Sequence, residues 1–483
     1  MKKQIYNPYL PLYEYVPDGE PHVFNGRVYV YGSHDQYGAF AFCHNDYVTW
    51  SAPIDNLKDW RYEGVILSKR EDPENKNGKH DLFAPDVCQG PDGKFYIYYA
   101  YDWMGHTGVA VSDSPAGPFK FHGYVSFPDG TVLGSRKKDV FQFDPGVLVD
   151  DDGRVYLYSG FGPKPGQAVN MNIKGGMYAD ACYCIELEPD MVTIKGEPKK
   201  VMERKGVETD PAFNDGHEFF EASSPRKING KYYMVYSSFL GHELCYAISD
   251  SPWGPFKFGG TIISNGDVGL NGRTKDNACY PLGNNHGGLV NVKGDWYVFY
   301  HRHTNYTNTD RQGCAEEIVI KEDGSIDQVE MTSCGLNGGP LEGKGTYPAS
   351  ICCCLMPKEG NIFYNFFRWP WQKGKMCITQ SGKDTDTVET QYIENIADGA
   401  LVGYKYFNLT ETKTVTLEVK GKASGKAVLE YSENGEAVST VDFEVKGEGK
   451  ITLPVVNGTE KNAVYIKFTD MKGKLDAYKL CLE

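Results

Sequence analysis

Four carboxylates and one imidazole stand at matching places along the chain. Asp18, Asp86, Asp144, Glu221 and His286 each head a segment that passes through a short apolar run to a glycine, then into an aromatic-rich run. The glycines are Gly26, Gly93, Gly153, Gly230 and Gly294, and the heads precede them by 8, 7, 9, 9 and 8 residues. Carboxylates gathered in one place raise one another's pKa, which proteins tolerate mainly where the shift is useful. The chemistry this suggests is a proton donor working opposite a proton acceptor. The alternative is that the heads cap hairpins or bind a structural cation.

The elements that would position these groups are hairpins. Asn-Gly and Asp-Gly between runs of β-formers is the strongest short-range hairpin signal, and the turn glycines recur 67, 60, 77 and 64 residues apart. Ser112-DSPAGPFKF recurs as Ser249-DSPWGPFKF after 137 residues, the same interval that separates Gly93 from Gly230. Five such units predict an all-β fold, a five-bladed β-propeller of four-stranded blades over about residues 10–325. In a propeller the first strand of each blade lines the axis, so the five heads meet at one mouth. The returning strands bring Ser33-His34-Asp35, Tyr101-Asp102-Trp103, Phe161, Phe239 and His301-Arg302-His303 to its rim. An acidic mouth with an aromatic rim suits a sugar ring, with acid and base placed across a glycosidic bond.

Composition agrees with this reading. The 483 residues carry 34 Tyr and 55 Gly, as turn-rich β proteins do. A net charge of −14 argues against a nucleic-acid partner. Mean hydropathy is −0.47 and no run of 18 apolar residues exists, which argues against a transmembrane helix. Asn, Pro, Tyr and Glu interrupt the N-terminal segment, so no cleavable leader is expected. Thirteen cysteines without a framework spacing fit a reducing cytoplasm. The expected organisation is a catalytic propeller over 1–330, a Gly/Pro-rich linker over 331–360, and a jelly-roll-like β-sandwich over 361–483.

Over about residues 6–325 the chain resembles the five-bladed propellers of glycoside hydrolase family 43. The resemblance implies a general base at the start of blade one. Asp18-Gly-Glu-Pro matches, although the family has Asp-Pro there, so Glu20 also stands near that position; the distance to the hairpin glycine favours Asp18. Asp144-Pro145-Gly146 resembles the family's pKa-modulating Asp-Pro, and Glu221 its general acid, with Ala222-Ser223 replacing the usual Gly-Pro. Phe83-Ala84-Pro85-Asp86 is similar to the family's Trp-Ala-Pro-Asp beside the sugar. Arg311 matches an arginine that binds the terminal sugar, the alternative being a salt bridge to Glu316 or Glu317. His286 matches an axial histidine that approaches a structural calcium through waters. The site implied is therefore Asp18, Asp144 and Glu221 for catalysis, with His34, Asp35, Phe83, Asp86, Trp103, His303 and Arg311 around the substrate. The resemblance implies no cofactor for the chemistry. It implies an inverting exo-glycosidase that releases terminal α-L-arabinofuranose or β-D-xylose from arabinoxylan, xylan or arabinan oligosaccharides. Alternatives are an endo-arabinanase and a non-catalytic sugar-binding propeller. The C-terminal region resembles a family 6 carbohydrate-binding module, with Trp369, Trp371, Tyr392 and Tyr404 as candidate stacking residues.

Overall fold

The computed structural model describes residues 4–102, 104–163, 177–206, 210–213, 215–364, 372–384 and 386–483. Its first two thirds are five small antiparallel sheets in chain order. Blade one is β1 (Glu20–Phe24), β2 (Arg27–Tyr31), β3 (Tyr47–Pro53) and β4 (Arg61–Leu67). Blade two is β5 (Leu82–Gln89), β6 (Phe95–Tyr101), β7 (Thr107–Ser112) and β8 (Lys120–Tyr124). Blade three is β9 (Gly146–Val149), β10 (Val155–Phe161), β11 (Ala181–Leu187) and β12 (Lys199–Glu203). Blade four is β13 (Phe219–Ile228), β14 (Lys231–Ser238), β15 (Glu243–Ser249) and β16 (Lys257–Ser264).

The turn chemistry explains the inner hairpins. Asn25-Gly26 and Asn229-Gly230 have φ of 51°/74° and 50°/77°, the double left-handed geometry of a two-residue β-hairpin turn. The tyrosines tie the blades together. Tyr31, Tyr98 and Tyr158 each stand five residues past their hairpin glycine, and all are buried. Each hydroxyl donates to a carbonyl of the next blade: Tyr31 to Pro115, Tyr98 to Met191 and Tyr158 to Pro252, all at 2.7 Å. A buried tyrosine needs such a partner, and here the partner fixes blade to blade.

Blade five departs from the four-stranded expectation. It has β17 (Leu289–Val292), β18 (Asp295–His303) and β19 (Arg311–Ile318). Its outer edge is covered by the N-terminal segment. Asn7 brackets Ala315 with its side-chain amide, Nδ2 to the carbonyl and Oδ1 from the N–H, both at 3.1 Å, and the Tyr9 N–H reaches the Gly313 carbonyl at 3.3 Å. This segment closes the ring.

The second domain is a nine-stranded β structure. It comprises β20 (Leu341–Glu342), β21 (Gly345–Pro348), β22 (Cys354–Met356), β23 (Cys377–Gln380), β24 (Gln391–Ile396), β25 (Leu401–Asn408), β26 (Thr414–Glu430), β27 (Ala437–Pro454) and β28 (Asn462–Leu482). The segment expected as a linker thus supplies β20, β21 and β22. The first half of β28 pairs with β25 and its second half with β24 and β21, so the long strands bridge both parts of the sandwich. Gly473 permits the crossing: its φ is 88°, and a Cβ there would lie 2.1 Å from the Lys422 carbonyl oxygen. All thirteen cysteines are unpaired, eleven of them buried.

The two domains interlock. Arg302 donates to the Ser350 carbonyl at 2.8 Å, and the Asn305 N–H to the Ile378 carbonyl at 2.8 Å. Asp384 accepts the Tyr37 N–H at 2.6 Å. Residues 362–364 lie along Leu282, which donates to the Ile362 carbonyl at 3.1 Å and accepts from Tyr364 at 2.7 Å.

Candidate active site

Four of the five heads line one pocket of about 310 Å³, near the lower end of small-molecule sites. Asp18 and Asp144 lie two residues before β1 and β9, and His286 three before β17. Glu221 lies inside β13 where the pairing register slips on both sides of it. Asp18, Asp144 and Ala222 hold φ of 54°, 43° and 68°. Left-handed backbone is costly for residues with a side chain, and such residues cluster at functional sites.

Each acid has a distinct setting. Asp18 Oδ1 accepts from Arg311 Nη1 at 2.8 Å, and the Asp18 N–H donates to His301 Nδ1 at 3.3 Å. His301 Nε2 donates to the Asn284 carbonyl at 2.8 Å, so Nδ1 is the acceptor nitrogen of a neutral ring. Burial and the neighbouring Arg311 push the His301 pKa well below its usual range. Asp144 Oδ2 accepts from the Ala222 N–H at 3.2 Å and lies 3.6 Å from His286 Nδ1. Burial pushes the Asp144 carboxyl up to about 7 against the pull of His286. Burial, and then Asp144, raise Glu221 well above the carboxylate range. Buried together in one pocket, the two carboxyls are held toward their protonated forms. Burial opposes a charge on His286, but Glu20, Asp144 and Asp18 raise it to about 9.

The remaining wall is apolar. Phe83, Phe143, Phe161, Phe220 and Phe239 line it, each ring 5.1–5.9 Å from the next. The Arg311 guanidinium stacks 4.5 Å above the Phe42 ring. Phe363, from the second domain, completes the lining with Asn284 and Asn308.

Several expected positions lie elsewhere. β5 begins at Leu82, so Asp86 sits well inside the strand, and Phe83 and Ala84 take the pocket position. Asp86 Oδ1 pairs with His22 Nε2 at 2.6 Å, and Oδ2 accepts the Val147 N–H at 2.8 Å. It joins three blades and does not line the pocket. His34 is held by Glu14 at 3.0 Å and the Asp46 carbonyl at 2.8 Å, outside the pocket. His303 donates to the Asn284 carbonyl at 2.7 Å and supports that loop from behind. Asp35 does not line the pocket either; it grips Arg311 at Nε (2.8 Å) and Nη2 (2.9 Å). That fork replaces the salt bridge to Glu316 or Glu317 weighed for Arg311. Trp103, Trp369 and Trp371 lie outside the described residues. Tyr404 is a core residue bonded to the Ala349 carbonyl, while Tyr392 stacks on Tyr478 at 4.8 Å.

A calcium ion takes six to eight oxygen ligands, waters among them, and most protein oxygens beside His286 are already committed. Glu20 Oε2 is taken by Ser224 at 2.9 Å and Arg226 at 2.8 Å. Arg226 also takes the Leu289 and Pro21 carbonyls, at 2.7 and 3.3 Å. The nearby Glu20, His22 and Asp86 come close enough to share an ion, yet the Asp86 carboxylate is already bonded to His22 Nε2 and to the Val87 and Val147 N–H groups. Among the described residues these donors do not fit calcium.

Comparison with known proteins points one way. The model of Glycosyl hydrolases family 43 matches residues 15–326. A xylosidase/arabinosidase of Thermoclostridium stercorarium is 46% identical over 489 aligned residues, 100% of each chain. The crystal structure of an arabinoxylan arabinofuranohydrolase from Bacillus subtilis shares the fold over both domains, with a TM-score of 0.51 at 23% identity, covering 99% of this chain and 97% of that one. A β-xylosidase/α-arabinofuranosidase from a compost microbial metagenome, solved with xylotriose, gives a TM-score of 0.51 at 27% identity over 66% of this chain and 96% of its own.

Proposed function

The chain belongs to glycosyl hydrolase family 43, and from that premise we infer an exo-acting glycosidase that releases terminal β-D-xylose and α-L-arabinofuranose from hemicellulose oligosaccharides. The observation that carries the reading is the pairing of unlike carboxyls in one pocket. Glu221 is kept protonated beside Asp144, while Asp18, on another blade, is tied to the Arg311 guanidinium.

In this reading Glu221 protonates the leaving oxygen and Asp18 takes the proton of the attacking water. The Asp18 carboxylate accepts from Arg311 on Oδ1, which leaves Oδ2 for that proton. The water attacks the anomeric carbon from the face opposite the leaving group, so configuration inverts. This acid–base chemistry needs no cofactor. The phenylalanine wall packs against the sugar ring, and Phe363 bounds the pocket on the side of the second domain, which favours chain ends over mid-chain binding. The unpaired cysteines support a cytoplasmic enzyme acting on short imported oligosaccharides.

Two aryl glycosides test the reading, a 4-nitrophenyl β-D-xylopyranoside and its α-L-arabinofuranoside. Both are expected to release nitrophenol, and proton NMR of the first turnovers is expected to show the inverted anomer. Binding without release would leave a carbohydrate-binding propeller instead.

The modulator has its own signature. An ionised Asp144 disfavours a second charge, so it keeps the proton on Glu221 and activity falls only when pH rises through the raised pKa of the pair. Asp144→Asn removes that charge, so Glu221 ionises earlier. The alkaline limb of kcat/KM is expected to move down by about one pH unit or more. An alkaline limb that stays in place would remove Asp144 from this role.

A further inference from the structure

The strands that bring the base and the acid to the pocket also carry an ion pair to the propeller axis. Glu20 follows Asp18 by two residues on β1, and Arg226 follows Glu221 by five on β13. The Arg226 guanidinium spans three blades. Nε donates to the Leu289 carbonyl of blade five at 2.7 Å, and Nη1 to the Pro225 carbonyl of its own strand at 2.8 Å. Nη2 donates to Glu20 Oε2 at 2.8 Å and to the Pro21 carbonyl at 3.3 Å, both of blade one. The fit is tight: a Cβ on Gly288 would lie 2.4 Å from Glu20 Oε2 and 2.9 Å from Arg226 Nη2.

From Arg226 a line of alternating groups leads to the pocket. Glu20 Oε1 lies 3.7 Å from His286 Nε2, and His286 Nδ1 lies 3.6 Å from Asp144 Oδ2. Glu20 Oε1 is buried with no hydrogen-bond partner, so its orientation depends on the grip on Oε2. The geometry points to Arg226 as the axial cation of this propeller: its guanidinium does the work of a bound divalent ion, fixing Glu20 and, through it, the His286 ring beneath Asp144. Arg226 touches no reacting atom and is a positioning residue.

The argument is one of donors and charge. The guanidinium takes one oxygen of the Glu20 carboxylate and the Pro21 and Leu289 carbonyls, the protein oxygens on which a divalent ion at the axis would draw. A planar fork of fixed N–H directions suits a carboxylate flanked by carbonyls, whereas a lysine ammonium meets it as a point charge. Without Arg226 the carboxylate of Glu20 faces Ser224, His286 and, farther off, His22, and the ring is drawn away from Asp144.

The test has a metal arm and a substitution arm, both on the full-length enzyme. The metal arm stands apart from the catalytic assignments; the substitution arm rests on Asp144 as modulator. After dialysis against EGTA, wild-type kcat and Tm are expected to be unchanged, and 1 mM calcium is expected to restore nothing. A loss after EGTA that calcium reverses would overturn the proposal. Arg226→Ala is expected to lower kcat about 10- to 100-fold with KM nearly constant, as misplacement behind a reacting group does, and to shift the alkaline limb of the pH profile. Arg226→Ala with wild-type kcat and pH profile would also overturn it. Should Arg226→Ala fail to fold, Arg226→Lys is expected to fold and recover part of kcat with the same pH shift; an Arg226→Lys enzyme of wild-type kcat and profile would count against the fork.

Discussion

Glu221→Ala is expected to cut turnover of xylo-oligosaccharides by about 10²- to 10⁴-fold, the usual worth of a general acid, while barely slowing a 2,4-dinitrophenyl xyloside. The difference follows from the leaving group. A sugar hydroxyl leaves only if its oxygen gains a proton as the bond breaks, and Glu221, held protonated by burial and by Asp144, is the group we propose to supply it. A dinitrophenolate leaves without help. The measurement is kcat/KM on both substrates for wild type and variant. Equal losses on the two would show that Glu221 acts otherwise. Glu218 is the control, because it does not line the pocket and lies 3.8 Å from Lys205. If Glu218→Ala instead showed the leaving-group dependence, the acid would have been assigned to the wrong glutamate.

Asp18→Ala is expected to damage turnover of every substrate, by about 10²- to 10⁴-fold on natural and activated glycosides alike. The attacking water must lose its proton whichever group departs, so a better leaving group offers no escape. Azide separates loss of the base from loss of the pocket. It needs no deprotonation, so it is expected to restore turnover of the dinitrophenyl xyloside by Asp18→Gly and to yield the glycosyl azide of inverted configuration. Arg311 makes this test a demanding one, because removing its Asp18 partner leaves a buried guanidinium with Asp35 as its remaining carboxylate partner. Asp18→Asn keeps a hydrogen-bond acceptor for Arg311 and is expected to lose turnover as fully while melting closer to wild type. A variant that kept turnover on the activated substrate would exclude Asp18 as the base.

Much of this was legible in the spacing of a few residues. The hairpin glycines gave the blade count because a two-residue turn demands left-handed φ, and Asn25-Gly26 and Asn229-Gly230 adopt it. Asp18, Asp144, Glu221 and His286 meet because each stands near the start of an axial strand. Asp86 does not, and the sign was present: it precedes its glycine by 7 residues, the shortest of the five offsets. A strand that starts at Leu82 carries Asp86 past the mouth and down the axis. His34 and His303 turn away because backbone carbonyls and Glu14 offer them partners, and no periodicity reveals that competition. Phe363 had no signal at all, since the bridge between residues 282 and 363 joins segments about eighty residues apart and belongs to no repeat. Blade five looked complete because its inner hairpin is regular; its outer edge is covered by residues at the opposite end of the chain.

The interlocking of the two domains has a consequence for biosynthesis. A ribosome adds residues in order, and Asp18, Asp144 and Glu221 all emerge before the ring can close, since Asn7 must wait for Ala315. Even then the nascent propeller lacks the wall that Phe363 supplies once residues 362–364 line up with Leu282. The growing polypeptide therefore passes through a stage that carries all three proposed acid–base residues around an unfinished cavity. Activity should switch on late and in one step, when the C-terminal sandwich docks, and not in proportion to the number of blades already made.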